Sequence, residues 1–396
     1  MTELDAFRTE VAAWFTANRP PEPDFLLPES FMEIGTDQQF DYLRAWQRKI
    51  HEAGYLGMAW PTQYGGGGKP QAWQDIVNAE MARQKTPFVP NTIGLNWAGP
   101  LILAIGTEAE KHRYIKNILT AEDIWCQGFS EPDNGSDLAA TTTRATRDHD
   151  HYILNGAKIW TSLGSYAKYM ILLARTEPGS TRTTGLSYFL CPMHTPGIET
   201  QPIRKLTGEY GFTQTFFRDA RIPSGCLMGR EGEGWKIAMM TLTFERGATG
   251  GQAGGIARQA LSIHDVLELA CTTNRDGRPA ITDPLLRDQL VRFLIEDQGD
   301  RLTTTRGSIP ALCTERPHAI PLSQKLRTSE HRRRLLQFAL SLQGANAARW
   351  VGDANAFAGG KWQRAYLNSF SSTIGGGTTQ IQANIVAERV LGLPKD

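Results

Sequence analysis

The chain has 396 residues, 40% of them hydrophobic and 21% charged. At roughly 100–200 residues per domain this leaves room for two or three domains, and the composition excludes disorder, collagen and coiled coil as the main character. Its 42 basic and 41 acidic residues give a formal net charge of +1, which argues against broad electrostatic capture of nucleic acid or of an anionic membrane.

The N-terminal stretch carries acids early and has no apolar core of the kind a secretory signal needs. Leu4, Phe7, Val11, Ala12, Trp14 and Phe15 fall near one face of an amphipathic helix. Asp41 to Ala53 predicts a second helix, ended by Gly54. Ala59-Trp60-Pro61 through Gly65-Gly66-Gly67-Gly68 is a loop, because Pro and stacked Gly cannot continue a helix. Thr107-Glu108-Ala109-Glu110 has the form of a capping box before Tyr114, Ile115, Ile118 and Leu119 at helical spacing.

Near Trp125 the texture changes. Short apolar or alternating runs at 151–155, 158–162, 169–174, 185–191 and 213–217 are separated by Asn155-Gly156, Pro178-Gly179, Pro196-Gly197 and Pro223-Ser224-Gly225. This predicts an antiparallel β domain, sandwich or barrel. The absence of βαβ alternation counts against a Rossmann sheet. The longest apolar run, 169–174, is too short to span a bilayer.

From Trp235 the helical period returns. One long helix is expected over 235–273, a second from Asp283-Pro284 through Leu294, a third over 322–342 and a fourth over 379–390. The fold class is therefore α+β, mainly α, with an N-terminal helical domain (1–124), a central β domain (125–234) and a C-terminal helical domain (235–396). Cys126, Cys191, Cys226, Cys271 and Cys313 are scattered, odd in number and form no CxxC pair. Buried free thiols in a reducing cytoplasm are the expectation.

Four segments could carry chemistry. In Ser130-Glu131-Pro132-Asp133-Asn134-Gly135-Ser136-Asp137, a tight turn exposes successive amides and a hydroxyl that can cradle a phosphate; a plain surface turn is the other reading. Asn155-Gly156-Ala157-Lys158-Ile159-Trp160-Thr161-Ser162 offers a flat ring beside two hydroxyls, suited to a planar heteroaromatic, or else a core Trp with solvent-facing Thr and Ser. Gly375-Gly376-Gly377-Thr378-Thr379-Gln380-Ile381-Gln382 allows close backbone approach to a ligand, or is a flexible loop before the last helix. Phe244-Glu245-Arg246-Gly247 sets a carboxylate after Met239, Met240 and Leu242, either as a desolvated general base or as a salt-bridged surface Glu. No His/Cys cluster has metal spacing, and His331-Arg332-Arg333-Arg334 reads as a solvated helix face.

Taken in order, these segments resemble the acyl-CoA dehydrogenase family of flavoproteins over nearly the whole chain. Trp60-Pro61 with its Gly run looks like the family's early loop. Ser130 to Asp137 resembles its (T/S)EPxxGSD segment, Asn155 to Ser162 its NGxKxWxT segment, and Gly377 to Gln382 its closing loop. The resemblance implies a central antiparallel β-barrel-like domain and a C-terminal four-helix bundle, with FAD between them and partly across a subunit interface. It implies α,β-dehydrogenation of an acyl-CoA thioester in lipid metabolism and fatty-acid β-oxidation, an electron-transfer flavoprotein as acceptor, and a homo- or heterotetramer or a dimer.

By position, Phe129 and Ser130 would contact the isoalloxazine, Trp160 would face it, and Ser162 would bond near its N5 and O4 edge. Gly135 and Ser136 would lie near the pyrophosphate or the substrate's pantetheine arm. Arg278 and Gln289 would reach the FAD of a neighbouring subunit, and Thr378 and Gln380 would hold ribose or adenine. Many members carry the catalytic Glu where this chain has Gly376; there only the backbone amide is left for the thioester carbonyl. A minority branch carries the Glu on the long helix just before an Arg, which matches Glu245-Arg246. Glu245 is thus the expected base and Arg246 a substrate-side positioning group.

Two segments depart from the family pattern. The usual RxxFG reads Arg278-Pro279-Ala280-Ile281, and the stretch from Gly344 to Gly376 is longer than usual. The small residues Gly247, Ala248, Gly250, Gly251, Ala253, Gly254 and Gly255 suggest either a wide cleft for a bulky, branched or ring-bearing acyl group or tight helix packing. A FAD/acyl-CoA-binding subunit of a heteromeric dehydrogenase and a flavin monooxygenase on the same fold are the alternatives.

Overall fold

A computed structural model describes residues 2–245, 254–255, 261–275, 277–307, 309–313 and 319–394. The chain forms two compact units, Met1–Arg258 and Gln259–Asp396.

The first unit opens with five helices, α1 (Glu3–Asn18), α2 (Asp37–Glu52), α3 (Gln71–Arg83), α4 (Gly99–Ile105) and α5 (Glu108–Leu119). The expected capping box is present at α5. Thr107 Oγ1 accepts from the Glu110 amide at 3.3 Å, and Glu110 Oε2 accepts from the Thr107 amide at 2.6 Å. Apolar stripes such as Phe7, Val11 and Phe15 of α1 and Tyr114, Ile115 and Ile118 of α5 bury into one shared core.

Eight strands follow: β1 (Trp125–Gly128), β2 (Arg144–Asp148), β3 (His151–Ser162), β4 (Tyr169–Arg175), β5 (Leu186–Pro192), β6 (Ile198–Ile203), β7 (Phe212–Pro223) and β8 (Leu227–Met228). They make one sheet in the order β6-β7-β3-β2-β4-β5-β8, with β1 paired to β4. The expected antiparallel barrel is not what forms. The end strands β6 and β8 do not pair with each other, so the sheet stays open. It is also mixed, since β1 runs parallel to β4, and β2 touches β4 in parallel at Arg144 and Arg175. The physical reason for the open edge is that β8 has only two residues, too few to carry a ladder round to β6.

Strand alternation splits the sheet between two cores. Tyr169, Ile171 and Leu173 of β4, with Tyr188 and Leu190 of β5, face the helical core. Met170, Leu172 and Ala174, with Phe189 and Cys191, face a second core shared with Tyr152, Phe217 and Ile222. Cys126, Cys191, Cys226 and Cys313 are buried free thiols, whereas Cys271 is exposed.

Helix α6 is described over Gly234–Glu245, and the helix expected to run on to Thr273 is broken by Gly254 and Gly255. Gly254 and Gly255 have φ of +98° and +94°, a left-handed conformation that breaks any helix. A Cβ on Gly254 would lie 2.5 Å from Gln74 Nε2, and one on Gly255 would lie 2.2 Å from Val89 Cγ2. Their carbonyls accept from Asn96 Nδ2 at 3.2 Å and the Val89 amide at 3.0 Å. These two glycines therefore serve close packing of backbone on the helical core.

The second unit holds α7 (Ile263–Thr272), a short hairpin of β9 (Asn274–Arg275) and β10 (Arg278–Pro279), then α8 (Pro284–Gly307), α9 (Ala319–Gln343), α10 (Lys361–Ser372) and α11 (Thr379–Val386). Among the described residues it holds five helices and not the four expected, because α10 forms where no helix was predicted; α7 begins at its own cap, where Ser262 Oγ accepts from the Asp265 amide at 3.4 Å. Asp283 caps α8 as its sequence suggests, its Oδ1 accepting from the Leu285 amide at 2.8 Å. Val266, Leu290, Leu336, Leu342 and Trp362 share this unit's core. The basic run on α9 is not simply solvated: Arg334 Nη2 and His331 Nδ1 meet Glu296 of α8 at 2.6 and 3.0 Å.

Candidate active site

Strand β1 delivers the chain into Phe129 and Ser130, where the turn starts. Glu131 and Asn134 exchange backbone hydrogen bonds of 3.1 and 3.0 Å. The Glu131 side chain is turned inward, 3% exposed, and Lys158 from the middle of β3 is fully buried against it. Lys158 Nζ donates to Glu131 Oε1 at 2.9 Å and to the Phe129 carbonyl at 3.0 Å. Glu131 also accepts from the Thr142 amide and hydroxyl (2.7 and 2.6 Å) and from the Thr143 amide (2.8 Å).

Burial alone would raise the Glu131 pKa. The Lys158 charge and the Thr142 and Thr143 donors outweigh it and hold the carboxyl down at about 2. Burial lowers the Lys158 value, and Glu131 opposes that shift. A third tie, from the Ile159 amide to the Ser130 carbonyl at 2.9 Å, fastens turn to strand. Two motifs separate in sequence thus become one rigid surface.

Trp160 stands on that surface. The β3–β7 register slips between Lys158 and Thr161, an irregularity at which Trp160 has φ +59° and is 56% exposed. A large exposed aromatic in a left-handed conformation is strained on both counts, and such strain clusters at functional sites. Its ring meets Phe212 edge-on at 6.0 Å. Thr161 and Ser162, next along the strand, are buried. Beyond Phe212 a cleft of about 320 Å³ opens, lined among others by Ile34, Gly35, Leu163, Tyr210 and Phe212. Gly135 and Ser136 are exposed on the outer part of the turn, with open space where a Gly135 Cβ would sit. The Gln127 Nε2 atom of β1 is buried with no partner among the described residues.

Helix α6 is tied to this surface through β5. The Tyr188 ring packs edge-on to Phe129 at 6.1 Å, and its hydroxyl lies 2.9 Å from Thr241 Oγ1. Thr241 already donates to the Ile237 carbonyl at 3.1 Å, so Tyr188 is the donor. Glu245, half-buried, is the last described residue of α6. It follows Thr241 by four positions and therefore lies on the same stripe of the helix. Arg246 lies outside the described residues, as do Gly247, Ala248, Gly250, Gly251 and Ala253.

The other candidate residues belong to the second unit. Arg278 is exposed on the short hairpin, and Gln289 is exposed on α8. Gly376 and Gly377 have φ of +67° and +93°. Thr378 caps α11, its Oγ1 accepting from the Ile381 amide at 3.2 Å, while Gln380 is exposed. Gln382 Nε2 donates to the Gly376 carbonyl at 2.9 Å and Lys325 Nζ donates to the Gly377 carbonyl at 2.6 Å.

Ser130 and Trp160 are thus brought onto one surface, with Phe129 and Ser162 buried in the segments that carry them. Sequence reasoning did not assign roles to Glu131, Lys158, Gln127, Tyr188 or Thr241. A Lys inside a strand beside Trp160 was a usable signal for a buried pair, but its partner 27 residues away was not. A flat exposed ring with amides and hydroxyls beside it suits a planar heteroaromatic ligand.

Comparison with known proteins covers the whole chain. Residues 3–122 match the N-terminal domain of acyl-CoA dehydrogenase, 126–220 its middle domain and 232–391 its C-terminal domain. The chain is 36% identical over 408 aligned positions to acyl-CoA dehydrogenase IpdE1 of Mycolicibacterium smegmatis, covering 100% of this chain and 99% of that one. Among solved structures, the Tcur3481-Tcur3483 steroid ACAD matches with a TM-score of 0.80 at 27% identity, over 99% of this chain and 98% of that one. The ChsE4-ChsE5 complex from Mycobacterium tuberculosis matches with a TM-score of 0.77 at 25% identity, over 100% and 99%.

Proposed function

Because the chain belongs to the acyl-CoA dehydrogenase family, and so is a flavoprotein oxidoreductase acting on CH–CH bonds, we propose that it desaturates an acyl-CoA thioester with Glu245 as the base. The observation that carries this reading is the position of Glu245, one turn beyond Thr241 on the stripe of α6 that Tyr188 ties to Phe129.

The residues present fit the family's FAD. Trp160 offers an exposed ring held by a strained backbone, and the buried Gln127 amide lacks a partner among the described residues. On this reading Phe129, Ser130, Trp160 and Ser162 hold the ring system, and Gly135 and Ser136 lie by the pyrophosphate or the pantetheine arm. Arg278, Gln289, Thr378 and Gln380 take the phosphate, ribose and adenine parts, with Arg278 and Gln289 coming from a neighbouring subunit. The Thr378 hydroxyl accepts within its cap and keeps its proton to donate. When bound, FAD accepts the hydride that leaves the β-carbon.

The protein's own part is proton and charge management. A thioester α-proton is weakly acidic, so donors on the carbonyl must stabilise the charge that develops there. The amide of Gly376 and its loop supplies such a donor, while Glu245 takes the proton and Arg246 positions the substrate. The similarity to a steroid ACAD supports a bulky, ring-bearing acyl group. The similarity to a ChsE4-ChsE5 complex favours a second reading, in which this chain works within a mixed assembly. An electron-transfer flavoprotein is the proposed acceptor.

The test is to purify the protein, record its flavin spectrum and add straight-chain and ring-bearing acyl-CoA thioesters without oxygen. Flavin bleaching is expected, fastest with the ring-bearing substrates. Glu245→Gln should bind thioester yet bleach far more slowly; unchanged bleaching in that variant removes Glu245 from the role.

A further inference from the structure

We propose that Arg182, on the loop between β4 and β5, takes a phosphate of the CoA nucleotide, and that Arg175 is the positioning residue that holds Arg182 in place. The proposal rests on the functional reading above, and both residues belong to the first compact unit. Its basis is the hydrogen bonding of Arg175, the last residue of β4. A guanidinium has five N–H donors, and Arg175 makes five bonds. Nε donates to the Thr141 carbonyl at 3.1 Å, and Nη2 donates to the carbonyls of Ala139 at 3.2 Å and Arg182 at 3.1 Å. Nη1 donates to the Thr184 carbonyl at 2.7 Å and to Ser180 Oγ at 3.0 Å. Arg175 is thereby saturated. It keeps no donor for a ligand and instead joins two surface segments, 139–141 and 180–184.

Each segment brings something that a phosphate needs. The first continues the Ser130–Asp137 turn and is fastened to it, since Asn134 Nδ2 donates to the Ala140 carbonyl at 3.0 Å. That turn leaves Gly135 and Ser136 exposed. The second carries Arg182 at φ +52°, an angle that residues bearing a Cβ rarely adopt, and Arg175 pins it through its carbonyl. The exposed Arg182 guanidinium has no hydrogen bond or ion pair among the described residues. One nitrogen of Arg175 holds the Ala139 and Arg182 carbonyls together, so this unpaired cation starts out beside the turn. Asp133, Asp137 and Glu177 lie on or next to the same segments, and an anion settling among them requires such a cation. A guanidinium meets phosphate oxygens with two parallel charge-assisted bonds.

The test uses the FAD-loaded protein and a panel of acyl groups, each carried either on CoA or on pantetheine, which lacks the nucleotide and its phosphates. It reads the ratio of the second-order rate constants for flavin bleaching with the two carriers, without oxygen. Wild type should favour CoA by about tenfold or more, the effect of one charge-assisted contact. Arg182→Gln, a change at an exposed side chain, should lose most of that preference. Arg175→Lys keeps the charge but cannot hold five acceptors, and it should lose the preference too. Combining the two changes should cost nothing further, because both act through one contact. No preference for CoA in wild type, or an unchanged ratio in Arg182→Gln, overturns the proposal alone. Additive losses in the double variant overturn the role given to Arg175. A wild type that bleaches with neither carrier overturns the functional reading and the proposal with it.

Discussion

The hydroxyl of Tyr188 on β5 donates to Thr241 Oγ1 on α6 at 2.9 Å, in a setting where both side chains are fully buried. Removing either partner should cost about 1 kcal/mol, the usual net value of such a bond. In a double-mutant cycle, Tyr188→Phe and Thr241→Val should couple by about 0.5–1.5 kcal/mol in urea unfolding. The same variants should slow flavin reduction by thioester, since the bond ties the Glu245 stripe to Phe129. Additive unfolding energies would show that the bond contributes nothing.

The Lys158–Glu131 pair is a positioning device for the Phe129 carbonyl. Lys158→Met leaves a carboxylate buried without its cation and should destabilise the protein by about 3–5 kcal/mol. Replacing both groups, Lys158→Met with Glu131→Gln, should recover much of that loss while flavin content stays low, because the donor to Phe129 is still missing. Thermal unfolding and the ratio of flavin to protein absorbance separate the two effects. Full flavin content in the double variant would deny the pair its positioning role.

Acid should unfold the protein in part through Glu131. Its folded pKa of about 2 lies below the ordinary value of 4.5, so as pH falls the unfolded chain takes up the proton first. The stabilisation is present above about pH 4.5 and is lost progressively toward pH 2; the difference corresponds to about 3 kcal/mol. Urea midpoints between pH 3 and 6 should therefore fall more steeply for wild type than for the double variant. Parallel acid limbs would contradict this.

Trp160 should show a trade of stability for function. Trp160→Gly relieves a left-handed residue that costs about 1 kcal/mol, so the flavin-free protein should be as stable as wild type or more so. Trp160→Ala keeps the backbone cost and should be less stable than Trp160→Gly by about that amount. Both should retain flavin poorly. Calorimetry of the flavin-free forms checks the first expectation, and flavin release on dilution the second.

Local features were legible in the sequence. The caps at Thr107 and Asp283 rest on residues two or three apart, and the runs at 169–174 and 185–191 became β4 and β5. Non-local features were not. Whether a sheet closes depends on what its edges meet, and the two-residue β8 carries no local sign of that. The glycines at 254 and 255 were read within one helix because their reason, contact with Gln74 and Val89, lies elsewhere in the chain. At the candidate site the motif residues were visible, but the ion pair that joins two motifs was not.

That ion pair also governs how the site can come into being. A turn holding Glu131 gains nothing by desolvating its charge early, and a strand holding Lys158 gains nothing alone. Each segment has reason to leave water only when the other is in place. Half-assembled versions of this surface should therefore be scarcely populated, and the turn and the strand should form together in a single cooperative event.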